Sequence, residues 1–291
     1  MRVDEVLAPF KGKEKTAPHS YFHQITSILN ARLKIFVSYK IWVLVELLNS
    51  VVSIAIYYFF GVMVESEELE SAGYGDSYLA FALIGIASQT FLWTSVARIS
   101  FVLRVELQEG TFEALNATRL RIESYLLGQT LAGFVLSTWF FTGAMLSGIF
   151  VLSASLTLTP ETIITSLIII FFMILAHLGI GFIAAGGILI LKRGEPLIAL
   201  FGVLTQFLSG VLFPLGVLPP ELETVAMTLP FTYALRSLRF ALLDERSLSD
   251  PTIINDIIIC GIFALVLIPF GIWFFRKAHN YAKTRGTLGH Y

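Results

Sequence analysis

At 291 residues, with 56% hydrophobic and only 14% charged residues, the chain is far more apolar than a soluble domain, which carries about 25% charged residues. A formal net charge of −1 excludes the basic field that a nucleic-acid binder sets against phosphates, so no nucleic-acid partner is expected. One cysteine, Cys260, permits neither an intrachain disulfide nor a CxxC metal or redox motif.

The first 40 residues hold Arg2, Lys11, Lys13, Lys15, Arg32, Lys34 and Lys40 and lack the apolar core of a cleavable signal peptide. The N-terminus is therefore expected in the cytoplasm. Within 21–40, Phe22, Ile25, Leu29, Leu33 and Phe36 recur at three- and four-residue steps, the period of an amphipathic helix lying in the membrane interface. His19 and His23 sit four apart, but no further ligand is suitably spaced nearby, and no metal site is expected.

Apolar runs follow at 41–63, 78–103, 126–153, 163–191, 197–217 and 253–275, each long enough to cross a hydrocarbon core. Lipid offers no water to backbone groups, so these spans are predicted to be helices. Runs such as SLIIIFFMILAHLGIGF lack the alternation of a membrane β-barrel. The expected fold is an all-α integral membrane protein. Its parts are an N-terminal segment (1–40), a six-span domain (41–275) and a basic tail (276–291).

Orientation follows from Lys and Arg, which cytoplasmic loops retain. Residues 64–77 have neither and carry Glu65, Glu67, Glu68, Glu70 and Asp76, while 154–162 has only Glu161. Both face outside. Arg104, Arg119 and Arg121, then Lys192 and Arg193, then Arg276, Lys277, Lys283 and Arg285 face the cytoplasm. The 218–252 loop has more acids than Arg, and both termini fall inside.

Several polar side chains fall within or beside spans. Glu46 is costly at membrane depth, with Asn49 on the same helical face, and its expected pairing is with Arg98 or Arg104. Asp256, near the outer end of the last span, is expected at a solvated rim. Gln89, Gln129, His177 and Gln206 are expected to bond between helices. Gly133 with Ser137, Ala144 with Gly148, and Gly181 with Ala185 lie four apart, a spacing that favours close helix contact within one chain or between two.

Between spans 2 and 3, ELQEGTFEALNATRLRIESYLL is polar and helical in period, and Gly110 and Thr111 interrupt the chain as a helix start does. A short surface helix is predicted there, either a plain connector or a lever for a cytoplasmic machine. After span 5, Pro214, Pro219, Pro220 and Pro230 break the chain before TYALRSLRFALL resumes a helical pattern. That segment is a surface loop or a re-entrant hairpin.

The run Glu109-Gly110-Thr111-Phe112-Glu113-Ala114-Leu115, followed by Ala117-Thr118, resembles the E-x-G-T-hydrophobic-E signature after span 2 of ABC-2 type transporter permeases. Arg119 stands where that family often has proline. Ser209-Gly210, Phe213-Pro214, Leu218-Pro219, Leu229-Pro230, Thr232-Tyr233-Ala234-Leu235 and Arg239 are similar to its outer segment, and the basic, Gly-containing tail fits as well. The resemblance implies the permease half of an ATP-driven exporter in the plasma membrane, paired with a second copy as a homodimer or heterodimer. It also implies a separate nucleotide-binding subunit that holds ATP and Mg, with no cofactor on this chain.

On that resemblance Glu109, Gly110, Thr111, Phe112, Glu113 and Leu115 form the coupling helix, with Phe112 as the anchor buried in the ATPase. Pro214, Pro219, Pro230, Tyr233 and Arg239 belong to the re-entrant outer segment. Membrane lipids are the remaining partner. The chain itself has no G-x-x-x-x-G-K-[ST], and Gly12-Lys13 lacks the glycine spacing, so it is not expected to hydrolyse ATP. The cargo implied first is a drug-like or lipid-like amphipath, with a polysaccharide or lipid-linked glycan as the alternative. A secondary carrier titrating Glu46 or Asp256 stays open at this point. An intramembrane enzyme is disfavoured, because Ser166 and Ser209 have no evident base and no HExxH occurs.

Overall fold

Long apolar stretches without water leave the backbone no partner but itself, and every element is accordingly helical among the described residues. The computed structural model describes residues 20–41, 77–191 and 195–285, with scattered positions from 44 to 59. Much of the expected first span, Glu46 within it, together with His19 and the end of the tail, lies outside the described residues. Asn49 is described, in helical backbone and exposed.

The elements run α1 (Tyr21–Ser38), α2 (Tyr78–Gln108), α3 (Thr111–Ala117), α4 (Ile122–Leu152), α5 (Pro160–Leu191), α6 (Glu195–Leu208), α7 (Pro220–Ala226), α8 (Pro230–Leu243) and α9 (Pro251–Thr284). Four of them, α2, α4, α5 and α9, are long and apolar enough to cross a membrane. Tyr78, Leu152, Pro160 and Pro251 stand at one end of the bundle, the far end. Gln108, Ile122, Leu191 and Thr284 stand at the near end.

Two boundaries differ from expectation. The apolar run 197–217 predicts a full span, yet α6 has 14 residues, about 21 Å at 1.5 Å per residue. Gly210 ends it with φ of 69°, Pro214 cannot continue it, and a 3-10 turn follows at Leu215–Val217. Residues 276–284 were assigned to a tail, but they extend α9, with Ala278 and Ala282 buried against the bundle.

The most extensive packing is between α5 and α9. It is a backbone-to-backbone approach. A Cβ on Gly179 would lie 2.2 Å from the carbonyl carbon of Leu267, and one on Gly271 would lie 2.3 Å from the Gly179 oxygen. Several of the small residues expected at close contacts are found there within the chain: Gly133 meets Thr94 and Arg98, Gly148 meets Leu83, and Gly181 meets the Ser95 carbonyl. Opposite Gly181, α2 contains a π-helical turn, Thr94–Arg98. Helix α1 lies on α4, with Ile25 and Ile28 over Gly128 and Phe36 edge-on to Phe140.

Candidate coupling site

At the near end, α2 stops at Gln108 and α3 starts at Thr111, and the turn between them depends on Gly110. Its φ is 70°, a left-handed conformation that side chains with a Cβ resist. Glu109 N–H still donates to the Val105 carbonyl at 2.9 Å, closing α2. The Thr111 hydroxyl donates back to the Glu106 carboxylate, so the two helix ends are tied by side chains as well as by chain.

Glu106 is the centre of a network reaching three helices. Tyr125 of α4 donates its hydroxyl to the other carboxylate oxygen of Glu106. That hydroxyl accepts from Gln129 at 2.8 Å and from Arg32 of α1 at 3.3 Å, which uses its one proton and both lone pairs. Gln24 of α1 clamps the next stretch of backbone: its amide donates to the Arg119 carbonyl at 3.3 Å and accepts from Arg121 N–H at 3.2 Å. Arg121 in turn lies over the Tyr21 ring at 3.8 Å.

Helix α3 is two-faced. Phe112 is 0% exposed, and its ring meets His279 of α9 edge-on, 5.8 Å between centroids. His279 Nε2 lies 2.8 Å from Asn116 Oδ1. Leu115 is half-buried and packs against the core. Glu109, Gly110, Thr111 and Glu113 are exposed, and they form an acidic edge turned away from the bundle. Phe112, expected as an anchor offered to the ATPase, is thus an anchor of α3 onto its own chain; an apolar side chain of that size packs into the nearest dry surface, here α9.

At the far end, the segment after α6 folds inward. Each proline opens an element: Pro214 precedes the 3-10 turn, Pro219 caps α7, and Pro230 is the first residue of α8, where a missing N–H costs nothing. Arg239, buried in α8, donates to the carbonyls of Gly210 and Val211 at 2.7 Å each and lies 3.4 Å from the Phe81 ring centroid. These are carbonyls that a continuing α6 would have bonded itself. Tyr233 donates its hydroxyl to Met227 at 2.8 Å, holding α7 to α8.

Asp256 corrects an expectation. It is 0% exposed rather than at a solvated rim. Arg236 donates to it through Nε and Nη2, at 3.0 and 2.5 Å, and Ser237 donates at 2.8 Å. A carboxylate that deep is retained because its charge is paired and its lone pairs are filled. Outside the spanning stretch, Asp250 caps α9, and the Thr252 N–H at 2.7 Å holds its carboxyl below the usual carboxylate range.

The motif at 109–115, the inserted α8 and the long apolar helices agree with one comparison. The family of the ABC-2 type transporter matches residues 23–243, well over half the chain. The chain belongs to the ABC-2 type transporter family. No curated protein matched it. As an ABC-2 permease it is a multi-pass transmembrane component and not itself the ATPase, and permeases of this kind work with a nucleotide-binding subunit.

In this ABC-2 chain the expected site residues fall into separate groups. Those at 109–115 gather at the near end, and Pro214, Pro219, Pro230, Tyr233 and Arg239 gather at the far end with Asp256. The intramembrane polar residues do not converge: Arg98 lies in the π turn of α2, its Nε without a hydrogen-bond partner among the described residues, and Asp256 is near the far end of α9. Gln129 and His177 bond inside their own helices, to Tyr125 and to the Met173 carbonyl at 2.7 Å. Glu106, Asn116, Gln24, Arg236 and His279 escaped the sequence reading. Glu106 and Asn116 lie within the stretch already singled out, and His279 follows Phe275 by one helical turn. The spacing shows neither partner.

Proposed function

We propose that this ABC-2 chain is the permease of an ATP-driven exporter for drug-like or lipid-like amphipathic compounds. It works as two copies in the plasma membrane, each with six spans and both termini in the cytoplasm. ATP and Mg are held by two separate nucleotide-binding subunits, and nucleotide binding displaces α3. The observation that carries the reading is the exposed acidic pair Glu109, at the end of α2, and Glu113, on a helix braced from behind by Phe112. A surface so fixed hands force to the bundle rather than yielding. An amphipathic cargo is supported by an apolar cleft of about 690 Å³ between α1 and α4, lined by Leu33, Phe36, Val37, Val135 and Trp139, with Lys40 at its edge.

The test is co-purification in mild detergent with the candidate cytoplasmic ATPase. Wild type is expected to retain it. Glu109→Arg with Glu113→Arg is expected to release it, because charge complementarity at an interface governs partner choice. Retention by the double variant at wild-type level removes these residues from the interface; no retention by wild type shifts the chain to a carrier that needs no ATPase.

A further inference from the structure

Helix α3 follows α2 through Gly110, in left-handed backbone, with the Thr111 hydroxyl bonded to Glu106. It leads into α4 through an extended stretch at Thr118, ψ 174°, whose next residues Gln24 of α1 holds. Besides these ties, it contacts α9.

That contact is a single continuous column. Asn116 Nδ2 donates to the Phe112 carbonyl at 2.8 Å, leaving Oδ1 to accept, so His279 Nε2 carries the proton at 2.8 Å. The His279 ring has Phe112 against its edge at 5.8 Å and Phe275 stacked on its face at 6.0 Å, 7° from parallel. Phe275 meets Phe182 of α5 at 5.9 Å. Phe112, Phe275 and Phe182 are all fully buried. Close-packed side chains of this kind are nearly incompressible, so the rings transmit a push and the hydrogen bond a pull. Beyond Phe182, the Gly179 and Gly271 backbones are in contact, which makes α5 and α9 one rigid pair. The other tie nearby, Arg276 to Glu123 at 2.7 Å with the arginine 54% exposed, is a surface pair of little strength.

We propose that His279 is a positioning residue that transfers the displacement of α3 to the α5–α9 pair, so that the last helix is the element nucleotide binding moves. This rests on the reading of α3 as the segment an ATPase grips. It assigns to the cytoplasmic turns of α9 a role that the family signature at 109–115 does not contain.

The experiment is hydrogen exchange on the full chain in nanodiscs with the co-purified ATPase, with and without Mg and a non-hydrolysable ATP analogue. In wild type, nucleotide is expected to change exchange in both 109–118 and 266–284. In His279→Ala the change at 109–118 remains, and that at 266–284 falls at least about fivefold, the low end of ordinary coupling between sites. His279→Gln, whose amide nitrogen stands where Nε2 was, restores part of it. A merely structural role would alter basal exchange in 266–284 without removing its response to nucleotide. An unchanged response at 266–284 in His279→Ala overturns the proposal; should that variant fail to fold, Asn116→Ala with a wild-type response overturns it equally. Failure of wild type to retain the ATPase is a different result, which overturns the coupling reading itself and this inference with it.

Discussion

Asp256 shows how much of a buried charge is decided by groups distant in sequence. Taken out of water it would be destabilising by several kcal/mol, and Arg236 and Ser237 on α8 offset that cost by three hydrogen bonds. Asp256→Ala removes the carboxylate that Arg236, whose side chain is 23% exposed, and Ser237 bond, and is expected to destabilise the protein by about 1–3 kcal/mol, read as a fall in denaturation temperature in detergent. Arg236→Met with Asp256→Leu removes both charges and is expected to recover most of the loss. If the single and double variants melt together, the pair has no role in holding α8 to α9. The sequence placed Asp256 at a watery rim because position along a span is all that hydropathy offers. Its partner twenty residues upstream reaches it only once α8 has folded back.

Among the elements, those with one long apolar run were legible and those defined by a turn were not. The amphipathic period of 21–40 returned as α1, and the signature at 109–115 returned as a short helix with an exposed acidic edge. The fifth span did not return at its expected length, since Gly210 and Pro214 weigh little in an average over 21 apolar residues. The burial of Phe112 was legible from its chemistry, whereas its choice of α9 over a partner was not. Helix α9 carries a testable start signal. Because the folded pKa of Asp250 is depressed, its cap is intact above the ordinary carboxylate range and weakens as pH falls through the folded value. The protection of the Thr252 and Ile253 amides, taken as exchange relative to the intrinsic rate at each pH, is expected to fall on acidification, and Asp250→Asn, a cap that does not titrate, is expected to remove that dependence. Equal pH profiles in the two proteins would show the cap to be idle.

For the whole molecule, the α5–α9 seam and the insertion of α8 among the far ends of the bundle matter more than any single contact. Gly179→Ala forces a methyl into the Leu267 backbone, and parting the two helices is expected to cost about 1–3 kcal/mol. Gly187→Ala, on the same helix with nothing within 4 Å of its Cβ position, serves as control and is expected to be neutral or stabilising by up to about 1 kcal/mol through helix propensity. Comparable thermal shifts for the two variants would deny that the seam is close-packed. Small-residue spacing had pointed to close packing without naming the pair of helices, because the same spacing serves contacts within a chain and between chains.

The π turn at Thr94–Arg98 sets the phase of everything below it. Such a turn holds one residue more than α-helical winding allows, which rotates the helix beyond it by about 100°. Below it Ile99, Leu103 and Leu107 are buried in the core. Regular α-winding of the same residues through Thr94–Arg98 would turn Leu103 and Leu107 by about 100° about the axis, away from the core, and with them the direction in which Gly110 launches α3. The aim of the acidic edge is therefore fixed by a surplus residue near the middle of α2, and loss of the π turn with every residue retained would misdirect the edge while leaving the 109–115 signature intact.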